Sequence, residues 1–141
     1  MRRWKVVACE SFETYPTVRL PGPLFVLVLA ADARGKSDAA LRQYARWWLD
    51  RGARVVGTWG PDCQRVQKAF LTAPLSESVS SEEGFVTATA HPDESLEEAM
   101  RPYVLPALSD CLVGAGLVVA ALGNNEWASR ATNYLGAGAP V

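Results

Sequence analysis

Long apolar runs are missing from this chain. The longest, Cys111 to Leu122, spans 12 residues, well short of the roughly 20 that a membrane-spanning helix needs. The basic start Met1-Arg2-Arg3 is followed by only a short apolar stretch, Val6 to Cys9, before Glu10. That is too little for the apolar core of a secretion signal. Cysteine is scarce as well. Cys9, Cys63 and Cys111 are an odd set at wide spacing, matching neither a disulfide framework nor a zinc site, so a reducing cytoplasm is the expected location. Neither metal nor cofactor is expected. No basic cluster is interleaved with aromatics in the manner of nucleic-acid grooves, and nucleic acid and membrane are not expected as partners. Poverty of apolar residues, the mark of disorder, is absent too, at 49% apolar and 21% charged.

What is present is one domain's worth of globular sequence. The 141 residues make a single α/β domain, 1–141: an edge strand and arm over 1–23, a core over 24–122, and a short helical segment with a frayed tail over 123–141. Arginine outnumbers lysine 11 to 3, a compositional hint of a bacterial gene. The net charge of −1 conceals a split. Residues 1–71 carry 12 basic against 6 acidic side chains and residues 72–141 carry 2 against 9. Opposite surfaces of this kind attract within a fold or between copies, so a protein partner or self-association is expected.

Leu24 to Ala31 is unbroken apolar sequence between Pro23 and Asp32, the pattern of a central strand covered on both faces. From Ser37, a candidate N-cap, Leu41, Tyr44, Ala45 and Trp48 recur at helical spacing, with ion pairs expected from Asp38 to Arg42 and from Arg46 to Asp50, and Gly52 ends the run. Trp47 falls off that stripe, as an interface anchor or under a covering arm. Arg54–Trp59 reads as a strand, 62–71 as a helix, 73–83 as a serine-rich loop and Phe85–Ala90 as a strand. The next helix is capped by Asp93 or by Ser95 with Glu98. Pro102 and Pro106 predict a kink or break in it. Leu117–Leu122 is a further strand, 126–135 a last helix, and Trp4–Cys9 an added edge strand. Alternation of this kind predicts a small Rossmann-like or flavodoxin-like three-layer sandwich with a mostly parallel sheet of four or five strands.

Such sheets bind ligands beyond the carboxyl ends of their strands. Those ends gather Asp32 to Ser37, Trp59 to Cys63, His91 to Glu94 and Asn124 to Trp127. Cys63 at a helix start could be a reactive thiol, paired with His91 as base and Asp93 or Asp32 as orienter. It could equally be a packed core cysteine, and His91 a structural bridge. Asp93, Glu94, Glu97 and Glu98 suit the first turn of a helix. The glycine fingerprint of dinucleotide folds is absent after the first strand. Gly35-Lys36-Ser37 leaves room for no more than an anion at a helix start.

The motifs Trp59-Gly60-Pro61-Asp62-Cys63 and Phe85 to Ala99, with Thr87, His91, Asp93, Glu94, Leu96 and Glu98 at fixed spacing, resemble those of a bacterial family of small Rossmann-like domains of unknown function. Ala90 stands where that pattern tends to have tryptophan. The resemblance implies the fold, and it points to Trp59, Asp62, Cys63, His91, Asp93 and Glu94 as ligand-binding residues without naming a reaction. The expectation is a binding or protein-interaction module. The alternative is a small hydrolase or transferase using Cys63 and His91, and a third reading is a nucleotide or anion binder.

Overall fold

The computed structural model describes residues 4–12, 24–73, 86–108 and 116–136, without the side chains of 105–108. The serine-rich loop, most of the arm and most of the tail lie outside the described residues. The elements are β1 (Trp4–Cys9), β2 (Phe25–Ala30), α1 (Asp38–Asp50), β3 (Ala53–Trp59), α2 (Cys63–Thr72), β4 (Thr87–His91), α3 (Leu96–Leu108), β5 (Gly116–Leu122) and α4 (Asn125–Gly136). All five strands are parallel, in the order β1-β5-β2-β3-β4. This is the α/β sandwich expected, with Trp4–Cys9 as its edge strand.

Every residue of β2 and of β5 is buried because both faces of these strands are covered. Phe25, Leu27 and Leu29 point to a core shared with Leu41, Tyr44 and Trp48 of α1 and Val66 and Phe70 of α2. Val26, Val28 and Ala30 point the other way, to Leu96, Met100 and Tyr103 of α3 and Leu135 of α4. Each buried side chain of this size contributes about 1.5–3 kcal/mol, so two continuous layers fix the strand register. Trp47 is half-buried against the first layer, with the Arg51 guanidinium 3.8 Å from its ring centre.

Local signals end the helices where the spacing predicts. The Ser37 hydroxyl accepts from the Ala40 amide at 3.1 Å. At α3, the Ser95 hydroxyl accepts from the Glu98 amide and the Glu98 carboxylate accepts from the Ser95 amide, each at 3.1 Å, which completes a capping box. The break offered as one alternative for α3 does not occur, and one expected ion pair needs correction. α3 continues through Pro102 and Pro106 without a break; Pro102 is exposed, where a freed carbonyl one turn earlier can turn to water. Asp38 bonds Arg65 of α2 at 2.8 Å, because α1 and α2 lie side by side and offer it a cross-helix guanidinium.

The topology has one functional consequence. From β2 the chain steps outward through α1 and α2 to β3 and β4 on one face, then returns by α3 to β5 on the other side of β2. The loops leaving β2 and β5 therefore diverge, and a crevice opens between them at the carboxyl ends.

Candidate functional site

Beside a cleft of about 320 Å³ past the ends of β1 and β5, lined by Cys9, Glu10, Gly123 and Asn124, two larger clefts occupy the carboxyl edge. The first lies over β2 and β5, encloses about 390 Å³ and is walled by Glu10, Ser11, Asp32, Lys36, Asn124 and Trp127, with Arg34 also lining it. The second, about 350 Å³, lies past the ends of β3 and β4 and is walled by Trp59, Asp62, Cys63, Gln64, Pro92 and Glu94. Pro61 belongs to both, and the rings of Trp59 and Trp127 meet edge to face at 5.1 Å between centroids. A crevice between α1 and α2, lined by Arg42 and Lys68, encloses only about 150 Å³ and is away from the strand ends.

Gly60 holds the two clefts together. Its φ of +114° suits glycine, and a Cβ there would stand 2.1 Å from the Ala31 carbonyl oxygen. The close approach lets the Ala31 amide donate to the Trp59 carbonyl and the Ala33 amide to the Pro61 carbonyl, each at 3.0 Å. Arg65 adds a side-chain tie, donating to the carbonyls of Ala33 and Lys36.

In the first cleft, Asp32 accepts from the Arg34 guanidinium at 2.9 and 2.6 Å and from the Arg34 amide at 3.0 Å. The Arg34 hydrogen bonds hold the Asp32 carboxyl below the usual carboxylate range. Asn124 caps α4, its Oδ1 accepting from the amides of Glu126 and Trp127. The starts of α1 and α4 beside this cleft are capped by Ser37 and Asn124.

The second cleft contains most of the residues the motifs single out. Asp62 sits at φ +61° at the start of α2, and its side chain makes no capping bond. Cys63, the first residue of α2, is 2% exposed. Burial pushes its thiol up, against smaller opposing contacts with the His91 backbone and the Thr58 side chain. The Thr58 hydroxyl donates to the Cys63 carbonyl at 2.9 Å, which seats the helix start on the sheet.

His91 is 8% exposed and engaged at both ring nitrogens. Nδ1 lies 2.9 Å from Glu94 Oε1 and Nε2 lies 2.6 Å from the Tyr103 hydroxyl. A carboxylate can only accept, so Nδ1 carries the proton and, in the neutral ring, Nε2 accepts from Tyr103. Glu94 is held a second time through its carbonyl, which accepts from the Trp59 indole N–H at 2.7 Å. Tyr103 reaches this position because β3 has Gly57 beneath it: a Cβ there would stand 2.5 Å from the Tyr103 ring.

The structure thus brings Trp59, Asp62, Cys63 and Glu94 to one cleft, with His91 behind Glu94. Asp93 is exposed in the intervening turn and lines neither cleft. Asp32 belongs to the first cleft. The carboxylate orienting His91 is Glu94 rather than Asp93 or Asp32, and the thiol meets the His91 backbone while the ring faces Glu94 and Tyr103. Tyr103 shares helical spacing with the apolar Leu96, Ala99, Met100 and Val104, a pattern that marks it as core and not as a partner of His91. The usable signal is Gly57, since glycine inside a strand marks a close approach. Among the described residues, no group of three or more His, Cys, Asp or Glu side chains could hold a metal ion, and no helix is long and apolar enough to cross a membrane.

A family model described as Domain of unknown function (DUF7684) matches residues 4–127. No curated protein and no solved structure matches the chain.

Proposed function

The chain belongs to the family of the Domain of unknown function DUF7684, and we propose that it is a binding module that seats a small polar molecule on the carboxyl edge of its sheet. One observation carries this reading: the topological switch between β2 and β5 opens into a cleft of about 390 Å³ lined by side chains of both charges and by Trp127. Ligand sites run from roughly 300 to 1,000 Å³, and open parallel sheets use this crevice in preference to any other. The second cleft, with Trp59, Asp62 and Glu94, extends the same surface. Of the motif set, Asp93 is left outside it and His91 stands behind Glu94.

Nucleophilic catalysis by Cys63 finds less support. A nucleophilic thiol needs exposure and a lowered pKa, and Cys63 has neither. The His91 ring has no nitrogen left to take its proton.

A thermal-shift screen of small polar compounds, nucleotides included, tests the proposal. A true ligand at a hundred times its Kd stabilises the fold by about 2.7 kcal/mol. It is also expected to change tryptophan emission, because Trp59 and Trp127 touch at the edge. Lys36→Glu or Trp127→Ala is expected to abolish binding in the first cleft. Hits that survive both changes and leave Trp59 and Trp127 emission unaltered overturn the proposal, as does rapid alkylation of Cys63 in the native state.

A further inference from the structure

The second cleft has an uneven inventory of donors and acceptors. Asp62 and Glu94 present carboxylates, which only accept. Trp59 lines the cleft, but its indole N–H is already engaged by the Glu94 carbonyl, so its remaining offer is the π system. Glu94 is fixed from two directions, through its carboxylate to His91 and through its carbonyl to Trp59, which sets its carboxylate in place before any ligand arrives. Asp62 lies 3.6 Å from Arg65, but the shorter bond of that guanidinium goes to Asp38 at 2.8 Å. Asp62, 45% exposed on its side chain, keeps an open side. Among the side chains walling the cleft, the donors are the engaged Trp59 indole N–H, the buried Cys63 thiol and the Gln64 amide. The first turn of α2 would attract an anion, but the two carboxylates oppose one.

From this inventory we infer that the second cleft recognises a protonated amine, held between the carboxylates of Asp62 and Glu94 and against the Trp59 ring. The inference rests on the reading of the carboxyl edge as a ligand-binding surface, and names the chemistry of its second half. An ammonium donates to both carboxylates and is attracted by the indole quadrupole. A neutral hydroxyl satisfies the acceptors without the charge. An anion is repelled.

Three probes of one shape and three charges separate these outcomes: phenethylammonium, 2-phenylethanol and phenylacetate. Each is titrated into nitrogen-15-labelled protein while the Trp59 and Trp127 indole N–H resonances are followed. Phenethylammonium is expected to shift the Trp59 resonance with an affinity on the order of tenfold above that of the alcohol, and phenylacetate to bind weakest. In a protein carrying Asp62→Asn and Glu94→Gln, the amine is expected to fall to the level of the alcohol. Asn tolerates the left-handed backbone at 62, and Gln at 94 still offers His91 an acceptor, so both changes remove charge while keeping the fold; an unchanged thermal midpoint checks this. Equal or tighter binding of the alcohol or the acid overturns the inference, and so does amine affinity that survives the double change. If none of the three moves the Trp59 resonance while the screen finds a ligand in the first cleft, the amine assignment falls and the binding reading stands. If no compound moves either indole, both fall.

Discussion

The two clefts share Pro61 and an edge-to-face pair of tryptophans, yet they are built differently. The first is lined by an exposed ion pair: the side chains of Arg34 and Asp32 are 69% and 38% exposed. Pairs this open contribute about 0–1 kcal/mol, so the first cleft can rearrange its charges around a ligand at little cost. The second is backed by the buried pair Tyr103 and His91, whose bonds run out to the exposed Glu94. Breaking a buried bond of that kind leaves a polar atom unsatisfied, which costs more than the bond contributes. The same fold rule positions both clefts, while the depth of the supporting contacts makes one adaptable and the other preorganised.

The sharpest way to break the comparison is to remove what joins the two. Gly60→Ala puts a Cβ 2.1 Å from the Ala31 carbonyl oxygen at a φ of +114°. With backbone on both sides and no flexible side chain to yield, the loops after β2 and β3 must separate. A loss of at least about 3 kcal/mol is expected from urea denaturation, with both indole resonances displaced. A loss below about 1 kcal/mol would mean that the loops are not locked together here.

Tyr103→Phe acts on one side only. It removes the hydroxyl 2.6 Å from His91 Nε2 and leaves a buried nitrogen without a partner, at a cost of about 1–3 kcal/mol. The Trp59 indole resonance is expected to move, because Trp59 donates to Glu94 and Glu94 bonds His91; Trp127 is expected to move much less. Equal displacement of both would show that the clefts are mechanically one.

Much of this architecture is legible in the sequence, and the limits have physical causes. Leu24 to Ala31, of which Phe25–Ala30 forms β2, reads as a central strand because only a doubly covered strand can be apolar at every position. The Ser95–Glu98 box and the Ser37 cap are legible because capping depends on contacts three residues apart. The strand order is another matter. Alternating strands and helices predict parallel crossovers, but the direction of each step depends on which helix layer buries which stripe. The position of the switch between β2 and β5 therefore emerges only in three dimensions. Glu94 and Asp93 are neighbours of the same charge, and only the turn after β4 decides which of them returns to His91. Asp38 is similar: its partner could be named only once α1 and α2 were side by side.

The smallest effects expected concern how the helix starts differ between the clefts. Asn124 caps α4 at the first cleft, accepting from the Glu126 amide at 2.9 Å and the Trp127 amide at 3.3 Å, whereas Asp62 at the second makes no capping bond with its side chain. Asn124→Ala therefore loses a cap and is expected to lower stability by about 1 kcal/mol. It also loosens Trp127, whose own amide is one of the capped donors. Asp62→Asn keeps a residue that accepts φ +61° and removes no capping bond, so its stability is expected to stay within about 0.5 kcal/mol of the parent. Paired denaturation curves of the two variants check the contrast. A loss at Asp62→Asn as large as at Asn124→Ala would mean that the Asp62 carboxylate stabilises α2 through the charge of its first turn, leaving that carboxylate less available to a ligand.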